Sequence, residues 1–185
     1  MEKLSRPPIR RIVTGLSEKG RSCITEDGAS PAELTVQTRP GYRVTNLWRT
    51  LAAQPFDAPD SITEHQGVQP PDGGTVLRII DVPPEPHDSE SRQAAVEATF
   101  KEMFPDAHRP SETADAAPHP AMHKTPTVDF ALMLEGELTA ILDEQETVIR
   151  AGDVLIQRGT NHAWANRSGN PARIAFVLVD APRRD

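Results

Sequence analysis

"HKTPTVDFALMLEGEL", His123 to Leu138, begins with polar residues two apart and ends as an apolar strand closed by a glycine. Successive side chains of a strand point to opposite faces. His123, Thr125, Thr127 and Asp129 therefore share one face, and Val128, Phe130, Leu132 and Leu134 share the other. Polar groups turned into a fold need partners or a ligand. This stretch is where a site is to be sought.

Downstream the signal is all β. "LTAIL", "TVIRAGD", "VLIQ", "HAWAN" and "ARIAFVLVD" are short strand-like runs separated by the turns "DEQE", "RGTN" and "RSGNP". Strands at this spacing predict a sandwich or a small barrel. Upstream, "RRIVTGLSEKGRSCIT" reads as a hairpin, "YRVTNLWRT" as a strand in which Val44, Asn46 and Trp48 alternate with Thr45, Leu47 and Arg49, and "TVLRIIDVPP" as a strand stopped by two prolines. "HDSESRQAAVEATFKEMF" is the one convincing helix. Asp88 or Ser89 can cap it, and Ala95, Val96, Thr99, Phe100 and Met103 form its apolar stripe. One domain is expected, with an N-terminal arm and strands over 1–43 and a barrel over 44–182. A helical insertion at about 86–118 interrupts the barrel.

Composition narrows the function. The chain has 185 residues, 37% hydrophobic and 25% charged, as expected for a globular protein with a real core. A net charge of −7 argues against nucleic acid as partner, since phosphate binding needs a basic patch. The basic cluster "RPPIRR" reads as a solvated tail. The single cysteine, Cys23, excludes an internal disulfide and has no neighbours that would make it a nucleophile. No apolar run spans a bilayer and no secretory signal is visible, so no membrane partner and a cytoplasmic location are expected.

"RGTNHAWAN" brings His162 after a glycine turn, with Trp164 and Asn166 on the same strand face. Two histidines and one carboxylate in one interior, His123, His162 and Asp129, can hold Fe, Mn, Zn or Ni with positions left open. The same residues can equally form a satisfied polar core, Asp129 bonding His162.

On these residues the chain resembles the cupins, small β-barrel proteins. Their first motif reads G-x5-H-x-H-x3-E-x6-G. His123 matches the first histidine, Thr125 stands at the second, Asp129 at the glutamate, Gly136 at the closing glycine, and Ala117 at the opening one. The second motif, G-x5-P-x-G-x2-H-x3-N, is matched by Gly152, Gly159, His162 and Asn166, with Gln157 replacing the proline and one residue missing between the glycines. The resemblance implies an all-β fold, the double-stranded β-helix or jelly-roll barrel, and a homodimer paired through N-terminal strands. It also implies a small-molecule enzyme in which His123, Asp129 and His162 act around a divalent metal on an oxygenated or carboxylated metabolite. Lyase, decarboxylase, isomerase and dioxygenase chemistry all occur on this fold. The alternative is a metal-free cupin that binds a small ligand without turnover.

Thr125, Thr127, Gln157, Trp164 and Asn166 are the expected pocket residues. His119 is a candidate replacement ligand, whereas His65, His87 and His108 read as ordinary loop histidines. The helical insertion is placed to cover the pocket as a lid; otherwise it packs outside the barrel or on a second subunit.

Overall fold

The structure, a computed structural model, describes residues 6–109 and 117–181. Eleven strands are formed among the described residues. β1 (Arg10–Leu16) and β2 (Ser22–Ala29) make the expected hairpin, followed by β3 (Ala32–Thr35), β4 (Arg43–Thr50) and β5 (Thr75–Val82). After helix α1 (Ser89–Met103) come β6 (Thr127–Glu135), β7 (Glu137–Leu142), β8 (Glu146–Arg150), β9 (Val154–Arg158), β10 (His162–Ala165) and β11 (Ala172–Asp180). All pairings are antiparallel. One sheet has six strands in the order β3-β4-β5-β11-β6-β9, and a second has three in the order β10-β7-β8. The two sheets face each other, an all-β jelly-roll barrel.

β6 explains why the fold closes as it does. Thr127, Asp129, Ala131 and Met133 are buried, whereas Phe130 and Leu134 on the other face are exposed. The polar half of the opening stretch thus looks into the barrel, and the apolar alternate set looks out. Inward residues of the neighbouring strands, Val76 and Ile80 on β5 with Ile174, Phe176 and Leu178 on β11, complete that face. Leu138 and Ile149 meet them from the smaller sheet. Each such buried side chain contributes roughly 1.5–3 kcal/mol. Gly136 makes the β6–β7 turn at φ +74°, where an added Cβ would lie 3.1 Å from the Pro171 carbonyl oxygen. Only glycine fits both demands.

α1 runs where its stripe predicts. Asp88 caps it by accepting the Ser91 N–H, and Val96, Thr99, Phe100 and Met103 are buried while Glu90, Glu97 and Glu102 face solvent. Residues 110–116, the middle of the loop that follows, lie outside the described residues.

Two expectations are corrected. β4 does not alternate strictly: a bulge between Asn46 and Trp48 shifts its register on β5, and Val44, Thr45 and Asn46 are all buried. Nor is "RPPIRR" a solvated tail. Arg11 is buried and pairs with Glu26 and Asp60, and Arg6 reaches Asp81 at 3.0 Å. Asp81 sits on β5 directly opposite Arg43 of β4 and Arg173 of β11, and binds both, at 2.7 and 2.8 Å. Burial raises the Asp81 carboxyl's pKa, but hydrogen bonds from Arg173 and Arg43 outweigh that and hold it below its ordinary value. One carboxylate therefore ties three segments of the large sheet and the N-terminal arm together.

Candidate functional site

Pro126 cannot donate to a ladder, and β6 begins only after it. The two residues before Thr125 form separate bridges. His123 and His162 sit opposite each other and exchange both backbone bonds, at 2.9 and 3.0 Å. That pairing brings the two rings to 4.3 Å between centroids. Each ring is fixed by the carbonyl two residues before it: His123 Nδ1–H donates to Ala121 O and His162 Nδ1–H to Thr160 O, both at 2.9 Å. Each Nε2 therefore carries the lone pair. Burial lowers the His123 pKa. Burial and the neighbouring His123 push that of His162 down to about 3. Both rings are neutral at ordinary pH.

A cavity with about 970 Å³ of atom-free space, its open mouth included, lies between the large sheet, the small sheet and α1. His123, Thr125, Asp129, His162 and Trp164 line it. The helix borders it with Val96, Thr99 and Phe100. Aromatic rings run continuously around the wall: Phe100 meets His123 at 5.2 Å, His162 meets Trp164 at 5.7 Å, and Trp164 meets Phe176 at 5.3 Å. Mostly apolar walls with a few convergent polar groups are the usual make-up of a small-molecule site.

Asp129 lines the same cavity but does not join the histidines. Its Oδ1 is buried without a partner, and burial pushes its pKa up to about 6 against the pull of Thr127 and Arg78. Thr127 is buried and bonds the Thr125 hydroxyl at 2.7 Å, and it does not line the cavity. Gln157 and Asn166 are also absent from the lining. Gln157 Nε2 closes the turn before His162 through Thr160 O, and Asn166 Nδ2 ties the β10–β11 turn to Val82 O and Asn170 O. Their amide groups stabilise loops that a buried position would otherwise leave unsatisfied.

The divalent ion can be tested against the donors present. Two imidazole lone pairs suit such an ion, but among the described residues no group of three or more His, Cys, Asp and Glu is placed to hold one. His119 does line the cavity, yet both its nitrogens are committed: Nδ1 accepts the Ala121 N–H and Nε2–H donates to Glu85 at 3.0 Å. The expected three-residue centre is not assembled.

The sequence reading missed two residues. Arg78 lines the cavity from the middle of β5 and is 1% exposed. His65, read as a loop histidine, is buried and accepts from Arg78 Nη2 at 2.8 Å. A charged residue inside the apolar run "TVLRIID" was the available signal.

Comparison with known proteins agrees with the barrel. Residues 112–179 match the cupin domain family. A phomopsin biosynthesis cluster protein C' of Diaporthe leptostromiformis is 34% identical over 59% of this chain, which spans only 42% of that protein's length. The cupin-domain-containing oxidoreductase srdD of Neurospora crassa is 28% identical over 97% of this chain and 81% of its own. Another protein so described, virC of Hypocrea virens, is 41% identical over 32% of each. No helix among the described residues is long and apolar enough to cross a membrane. The two-sheet barrel and the motif histidines on facing backbone bridges agree with the match of residues 112–179 to the cupin domain family.

Proposed function

We propose that the chain is a cupin enzyme acting on a small oxygenated or carboxylated metabolite held in the barrel cavity. The observation that carries the reading is the pair of neutral imidazoles, each locked by its Nδ1–H and each left with an Nε2 lone pair. These two nitrogens accept hydrogen bonds from substrate hydroxyl groups and orient the molecule. Asp129, with a pKa near 6, is the cavity group able to give or take a proton near neutral pH. Two relatives, srdD and virC, are oxidoreductases by name, which supports an enzyme. The histidines without Asp129 do not make a three-ligand metal centre, and the proton transfer proposed needs none.

A second reading, a cupin that binds without turnover, is favoured by the same missing third donor. A panel of small phenols, aldehydes, ketones and carboxylic acids separates the two. Binding is followed by thermal shift and turnover by proton NMR, with and without added Fe, Mn, Zn or Ni. The enzyme reading expects a bound compound to be converted, and His162→Ala to abolish conversion. Binding with no conversion under any metal supports the second reading. Conversion unaffected by His162→Ala removes the site proposed here.

A further inference from the structure

A buried guanidinium ordinarily carries a carboxylate partner, because an unpaired charge in the interior is costly. Arg78 has none. Its Nη2 donates to His65 Nε2 at 2.8 Å, Val68 O at 3.1 Å and Gly67 O at 3.3 Å. Nε and Nη1 are buried without any partner. The three acceptors are neutral, since burial and then Arg78 itself push the His65 pKa down to about 4. Arg78 is thus held firmly by one nitrogen while two remain free, and no carboxylate among the described residues is in hydrogen-bond contact with it.

The other charged groups around the cavity are occupied. Arg39 donates to Thr99 and lies over the Tyr42 ring, Arg92 donates to the Pro86 and His87 carbonyls, and Glu85 accepts from His119. Asp106 and Asp129 act on Arg78 only through space: Asp106 is taken by the Val68 and Gln69 N–H groups, and the sheet register keeps Asp129 apart. Arg78 opposes Phe176 on β11, and Phe176 opposes Ala131 on β6, so Asp129 sits two strands away and one inward position along. No hydrogen bond joins them. Close to Arg78 are apolar groups instead: its guanidinium lies 5.6 Å from the Phe104 ring centroid, and Phe176 is its cross-strand neighbour.

We propose that Arg78 is the specificity-determining cation of this cavity, receiving the carboxylate of a substrate whose ring-sized apolar body lies against Phe104 and Phe176. A carboxylate offers the acceptors that Nε and Nη1 lack, and arginine binds that group with strong, directional bonds. His65 is then a positioning residue, holding the guanidinium without neutralising it. The inference rests on the reading of the cavity as a small-molecule site, and it names the class of molecule.

The probes are 4-fluorobenzoate and 4-fluorobenzamide, equal in shape and different in charge, followed by fluorine NMR on the whole chain. The wild type is expected to bind the acid at least tenfold more tightly than the amide, and the Arg78 Nε–H resonance should move with the acid alone. Arg78→Met should lower affinity for the acid to that for the amide, leaving the amide unchanged, and Arg78→Lys should keep part of the preference. The comparison of the two probes on unmutated protein needs no variant to fold. Equal binding of both, binding of neither, or a preference that survives Arg78→Met overturns the inference. If the acid binds through Arg78 while the panel above shows no turnover, the enzyme reading fails and this one stands.

Discussion

Asp129→Asn is the perturbation whose sign separates a desolvated carboxyl from a metal-bound one. In the fold the Asp129 pKa is raised from 3.8 to about 6, chiefly by burial. Well below pH 3.8 the residue is protonated in both folded and unfolded chains and costs nothing. As pH rises through 4 to 6 the unfolded chain ionises first, so stability attributable to this group is lost. Above the folded pKa the loss is complete. A displacement of about two units corresponds to about 3 kcal/mol at roughly 1.4 kcal/mol per unit. The amide of the variant cannot ionise, so the variant escapes this loss. Urea unfolding at pH 4, 5, 6, 7 and 8 should show its stability relative to wild type rising by about 2–3 kcal/mol between pH 4 and 7. With a slope of about 2 kcal/mol per molar urea, that is a midpoint gain of about 1 M. Any constant offset from the amide's own hydrogen bonds drops out of the comparison. A difference independent of pH would refute the desolvated carboxyl. A variant that becomes less stable than wild type towards pH 7 would mean an ionised, partnered Asp129, as a metal ligand would be.

Other outcomes follow from the same geometry. Asp81→Ala should cost about 3–5 kcal/mol by leaving Arg173 without its carboxylate and Arg43 with Glu33 alone at low exposure, measured by chemical denaturation, and should expose the N-terminal arm to limited proteolysis. Thr125→His supplies the imidazole that the motif lacks. Calorimetry should show zinc or nickel uptake absent at micromolar concentration in the wild type and present in the variant, at ~1–3 kcal/mol of overpacking. Phe130, Leu134, Val154 and Ile156 expose an apolar outer face on β6 and β9, which suits a homodimer through this face and not through the N-terminal strands that the resemblance implied. Light scattering should find a dimer, and Phe130→Glu with Ile156→Glu should yield a monomer; a monomeric wild type would remove the dimer.

The barrel was legible because its strands announce themselves locally. The alternation in β6, the glycine at 136 and the turns between short apolar runs each constrain a few neighbouring residues, and all agree. The pairing of His123 with His162 was legible through the two motifs, since each histidine lies at a fixed distance from its glycine. What escaped depends on contacts between distant segments. Arg78 stands in a run of strand hydrophobics, and nothing local says that its neighbour will be His65 from a loop. Arg6 looks like a tail residue until Asp81 is brought beneath it by β5. Gln157 and Asn166 lie at motif positions near His162, but their amides turn to loop carbonyls rather than to the cavity. The sequence spacing that placed Asp129 on the right face could not say how far it stands from the rings.

The state of the two histidines is the most direct test, and long-range nitrogen–proton NMR on histidine-labelled protein reads it. His123 and His162 should both be neutral Nδ1–H tautomers with Nε2 unprotonated at pH 7, and His162 should stay so down to pH 5. A ring that titrates near pH 6.5, or one that carries its proton on Nε2, would contradict that assignment.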